Sequence, residues 1–74
     1  MSVANLDAET QAEVLTAYEN AKRKGITGYV AFIDYLTKII QDSSNGSELD
    51  IAALNAAKRD ARNGLISSLV SSLN

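Results

Sequence analysis

Apolar residues in this chain return every three or four positions, the repeat of an α-helix with one side turned to a core. In the first such stretch Val14, Leu15, Tyr18 and Ala21 share a side, with Ala8 and Ala12 above them. Those alanines are small enough to let another helix come close. The pattern predicts a helix over 7–24. Asp7 or Asn5 can cap its amino end. Acids stand early (Asp7, Glu9, Glu13) and bases late (Lys22, Arg23, Lys24), which suits the helix dipole. Gly25 fits the left-handed stop position, and Ile26 is the apolar residue that folds back on Ala21 in a Schellman ending.

A second helix is predicted over 28–41, with Thr27 as a plausible cap. At roughly 100° per residue, Tyr29, Phe32, Ile33, Tyr35, Leu36, Ile39 and Ile40 fall within an arc of about 160°. Asp34, Thr37, Lys38 and Gln41 lie opposite. So wide an apolar face suggests the central helix of a bundle. A strand is the competing reading, since β-branched and aromatic residues are common here, but the adjacent pairs Phe32-Ile33 and Ile39-Ile40 break period-2 alternation.

Asp42-Ser43-Ser44-Asn45-Gly46 reads as a loop. Ser47 then caps a third helix, with Asp50 at the capping-box position. Glu48 and Asp50 stand early; Lys58, Arg59 and Arg62 stand late. The tail has its own one-sided pattern: Leu65, Ile66, Leu69, Val70 and Leu73 lie within about 140°, with four serines opposite. One helix over 47–73 or a break near 64 would both fit. Glycine inside a helix costs only about 1 kcal/mol relative to alanine. The stripes on the two sides of Gly64 are also nearly in phase, so the single helix, bent at Gly64, is the favoured expectation. The fold class is all-α: a small three-helix bundle, or four short helices if the chain breaks at Gly64.

Composition sharpens this picture. The 74 residues allow one small domain and no second core. A chain of this size buries only about 60% of its unfolded surface, so stability is marginal. It has no Cys and no His, hence neither a disulfide nor a zinc site to brace it. Tight packing or a partner must supply the rest. No segment resembles a signal peptide, which suits a cytoplasmic protein. The longest apolar run, Tyr29 to Ile33, is far short of the roughly 20 residues of a membrane span. The net charge of −2 offers nothing that would hold a phosphate backbone by charge alone.

Candidate chemistry is thin. Ala21 and Gly25 have the spacing of a helix-turn-helix, but Asn20, Lys24 and Asp34 stand where that motif wants apolar residues. The would-be reading helix, Thr27 to Tyr35, has no Arg, Lys, Asn or Gln for base edges. An αα-hairpin with a glycine stop is the plainer reading. Lys22-Arg23-Lys24 could grip a phosphate but also complements a helix dipole. Lys58 lies near an apolar stripe of Ile51, Leu54, Ala61 and Leu65. It reads as a snorkelling side chain or as a charge setting register in an oligomer. With Gly46 in the sixth place of a calcium loop, the first and twelfth places fall on Gln41 and Ala52, so the key carboxylates are missing. Without His or Cys, no catalytic base or nucleophile stands out, no metal or cofactor is implied, and an enzyme is not expected.

The functional expectation is therefore an interaction or assembly subunit. It would bury a carboxy-terminal amphipathic helix, with part of the Tyr29–Ile40 face, against a second copy or a larger protein. Leu65, Ile66, Leu69, Val70 and Leu73 are the candidate interface, with Lys58 and Arg62 beside them. The alternative is a nucleic-acid-binding or regulatory protein using Lys22, Arg23, Lys24, Lys58, Arg59 and Arg62, with nucleic acid the less favoured partner.

Overall fold

A computed structural model describes residues 6–43 and 46–73. The fold is all-α, a small bundle of four short helices: α1 (Ala8–Arg23), α2 (Tyr29–Ser43), α3 (Glu48–Arg59) and α4 (Leu65–Ser71).

Local signals set most of the helix ends. Asp7 caps α1, its carboxylate accepting from the Thr10 backbone N–H at 3.3 Å. At the other end the Ile26 N–H donates to the Ala21 carbonyl at 3.0 Å and the Gly25 N–H to the Lys22 carbonyl at 2.9 Å. This is the expected Schellman ending, with Gly25 at φ +87, where a side chain would be strained. Ser47 and Asp50 form the capping box of α3: the Asp50 N–H donates to the serine hydroxyl and the Ser47 N–H to the aspartate carboxylate. Around α2 the pattern is less local. The first helical bond runs from the Phe32 N–H to the Gly28 carbonyl, so Gly28, not Thr27, is the capping residue. Its own N–H donates to the Tyr18 hydroxyl at 2.7 Å, which ties the start of α2 to α1. At its far end α2 continues through Asp42 and Ser43, which the turn-rich composition had placed in a loop. Ser44 and Asn45 lie outside the described residues.

The favoured single helix over 47–73 does not form. The α-helix stops at Arg59, a turn occupies 60–64, and Gly64 sits at φ +71, in the left-handed region. The reversal at Gly64 folds the tail back, so that α4 touches all three other helices. The phase match across Gly64 is real in the sequence, but docking both stripes on one core requires the bend.

The core is built from Val14, Ala17, Tyr18 and Ala21 of α1, Phe32 and Leu36 of α2, Ala53, Leu54, Ala56 and Ala57 of α3, and Ile66 and Val70 of α4. Burying a Phe, Leu or Ile side chain stabilises a fold by about 1.5–3 kcal/mol. The Tyr18 and Phe32 rings meet edge to face, with centroids 5.1 Å apart at 78°. The most extensive helix pair is α1 with α3, and α2 packs more on α3 than on α1. The central helix is therefore α3 rather than α2. Its buried alanines, like Ala17 and Ala21 of α1, are small and allow closer backbone approach than the bulky face of α2 can. The alanines expected at the α1 seam, Ala8 and Ala12, are exposed, and Leu15 is half-buried. On α3 the inward stripe runs through Leu54 and the alanines; of the expected stripe Leu54 enters the core and Leu65 is half-buried, whereas Ile51 (41% exposed) and Ala61, in the turn after α3, are exposed.

Two acids share this core. Asp50 is buried in the capping box, and Asp60 is only 8% exposed. The Asp60 carboxylate accepts the Ile66 N–H at 2.8 Å. Gly64, the capping residue of α4, has no side chain to do this. Asp60 thus serves as a cap from four positions earlier.

Candidate functional site

The wide apolar arc of α2 is only partly used by the bundle. Phe32 and Leu36 at its middle are fully buried, while Tyr29, Ile33, Tyr35, Ile39 and Ile40 on its flanks are half-buried. Val30, beside that arc, is 80% exposed. One flank becomes a groove. Ile26, held in place by the Schellman ending, forms a wall with Ala31, Tyr35 and Ile39 along α2, and the groove encloses about 540 Å³. That falls within the range of sites that seat a small ligand or anchoring side chains.

Charges rim this groove. Asp34, Lys38 and Asp42 border it. Asp34 and Lys38 pair at 3.4 Å, one turn apart. Both side chains are well exposed, so the pair adds little stability. Lys24 reaches from the end of α1 and donates to the Tyr35 hydroxyl at 3.0 Å, its ammonium 5.6 Å from the ring centroid. The hydrogen bond to that hydroxyl holds the Lys24 pKa above its usual 10.5. Tyr35, which lines the groove, is thereby held by Lys24.

A second, smaller concavity of about 310 Å³ lies where the start of α1 meets α4, lined by Leu6, Gln11, Leu65, Ser68 and Leu69. Gln11 closes one side by donating from its amide to the Leu6 carbonyl at 3.1 Å.

The residues singled out in the tail divide into three groups. Ile66 and Val70 enter the core of their own chain. Leu69 and Leu73 pack against the edge of that core, and Leu65 is half-buried beside the smaller concavity. Lys58 and Arg62 are exposed, one in the last turn of α3 and the other in the following turn. Among the other bases, Lys22 donates to the Leu73 carbonyl at 3.3 Å and sits 5.8 Å from the Tyr18 ring centroid. It closes the carboxy end of the tail helix, where a cation is favoured. Arg23 donates to the Asn20 side chain at 3.0 Å. Lys22 and Lys24 thus make contacts within the chain and, like Lys58, Arg59 and Arg62, remain exposed.

The groove on α2 was only half legible beforehand. The width of the arc signalled a surplus of apolar surface, but which flank stays open depends on where Ile26 and α3 end up. Among the described residues, no three acids converge on a point that could hold a metal ion, and no helix is long and apolar enough to cross a membrane. No protein-family model matches the chain, and comparisons with curated proteins and with solved structures return no match.

Proposed function

We propose that this chain is a non-enzymatic protein–protein interaction module that engages its partner through the outer flank of α2. The observation that carries the reading is the surplus of apolar surface there. The groove of Ile26, Ala31, Tyr35 and Ile39 is open on one flank, and Val30, on the other side of α2, is 80% exposed. An open apolar groove with a polar rim is a usual mark of a contact site. Ile66 and Val70, two of the tail residues first expected to meet the partner, are buried in their own core, which favours the surface on α2.

Site-specific photo-crosslinking in an extract of the native cells tests this. A photoreactive phenylalanine at position 31 should give a defined covalent adduct. The same residue at exposed position 55 on α3 should give none, and adding Ile39→Asp should abolish the position-31 adduct without changing helix content. Adducts formed equally well from positions 31 and 55, or none from position 31, would refute the reading.

A further inference from the structure

The pair Asn63-Gly64 carries a chemistry of its own. Asparagine is among the thermally labile residues. The backbone nitrogen of the residue that follows it can attack its side-chain carbonyl carbon, and a following glycine, with no Cβ, hinders that approach least. As the new nitrogen–carbon bond forms, the bond to the carboxamide nitrogen breaks. That nitrogen leaves as ammonia, taking the proton that the backbone nitrogen gives up, and a succinimide ring remains. Water then opens the ring at either carbonyl. One opening leaves aspartate. The other leaves isoaspartate, in which the main chain runs through the former side chain and is longer by a methylene.

The pair lies in the turn over 60–64, between α3 and α4, and Asn63 is exposed to water. The turn also holds the attacking nitrogen. The Gly64 N–H donates to the Asp60 carbonyl at 3.0 Å, and the Asn63 N–H donates to the same oxygen at 2.9 Å. A nitrogen committed to such a bond is a poor nucleophile, because it must give up that proton to react. Beyond Gly64 the chain is fixed by the Ile66 N–H on the Asp60 carboxylate at 2.8 Å and by the buried Ile66 side chain. Reaction therefore waits for the turn to open, and local opening is governed by the contacts that oppose it. The product acts back on those contacts. The bonds from Gly64 and from Ile66 to Asp60 both close across the point where isoaspartate inserts its methylene, so both lose their fit.

We propose that Asn63 is a site of spontaneous deamidation, that opening of the 60–64 turn sets its rate, and that isoaspartate formed there loosens α4. The reactants are the chain's own amide and water. The α2 groove plays no part in it.

The full chain is incubated at neutral pH, folded and in urea, and peptide mapping by mass spectrometry separates position 63 from the Asn45-Gly46 pair. Asn63 should react in the folded chain at least about tenfold more slowly than in the unfolded one, the factor that one net hydrogen bond supplies. Asp60→Ala, which loosens α4 while leaving Asn63 and Gly64 in place, should raise the folded rate severalfold. Should that chain fail to fold, Ile66→Val serves the same purpose. No reaction at position 63 in urea would overturn the site. Equal rates with and without urea, or a folded rate that loosening α4 leaves unchanged, would overturn the control by the turn. For the product, a chain synthesised with isoaspartate at position 63 is compared with Asn63→Asp, which adds the same charge on an unaltered backbone. The isoaspartate chain should exchange its Ile66 amide hydrogen about tenfold faster or more. Equal exchange in the two would overturn the loosening of α4.

Discussion

Asp60→Ala should be among the more damaging single changes in the molecule. The carboxylate is 8% exposed and accepts the Ile66 N–H at 2.8 Å, at the first turn of α4. Ile66 is itself 1% exposed, so water cannot readily take over its N–H. A hydrogen bond to a charged acceptor contributes about 1.5–3 kcal/mol, and stranding a buried donor costs about as much. Removing a buried charge offsets part of that loss. The expected net effect is about 2 kcal/mol. A domain of this size has about 4–11 kcal/mol in total. The loss should lower the melting temperature by about 8–16 °C. Asp60→Asn keeps an oxygen at the same place and should lose about half as much. Thermal and urea unfolding followed by far-ultraviolet circular dichroism, at micromolar concentration so that association does not intrude, measures both. An Asp60→Ala chain within about 0.5 kcal/mol of wild type, the range of an ordinary surface change, would refute the assignment of Asp60 as the cap of α4.

Truncations in the tail should separate its two rows. Ile66→Ala should cost about 2–5 kcal/mol in urea unfolding, whereas Leu69→Ala, half-buried at the edge of the core, should cost on the order of 1 kcal/mol; equal costs would mean the helix is docked on another face. Acid should weaken the start of α1. The Asp7 pKa lies below its usual 3.8, chiefly because its carboxylate accepts a hydrogen bond from Thr10. Its contribution is therefore complete above pH 3.8 and fades as the pH falls through the lowered value. Asp7→Asn should flatten that part of the pH–stability curve, and an unchanged acid limb would count against the cap.

The parts of this fold legible in the sequence were those written in neighbouring residues. Asp7, the Gly25-Ile26 ending and the Ser47–Asp50 box each act within six residues, and all three form as their spacing suggests. The parts that were not legible depend on residues far apart. The α1–α3 seam is made of alanines, which carry a weak apolar signal and become informative only once another helix lies against them. The break before α4 turned on Gly64, where a modest helix penalty competes with a tertiary gain invisible to periodicity. Asp60 looked like one charge among bases, and its role exists only after the chain has bent. The surplus on α2 could be read from its arc, but which flank stays open is set by where Ile26 comes to lie.

The claim beneath all of this is that the tail is consumed inside its own chain while the outer flank of α2 is left over. Solvent paramagnetic relaxation of methyl groups in the isolated, dilute wild-type chain tests it most directly. The expected result is broadening at Ile39 on the groove, with Val30, 80% exposed, as the fully accessible reference, and Ile66 and Val70 protected. Broadening of Ile66 and Val70 as severe as that of Val30 would contradict it, because the tail would then be lying free.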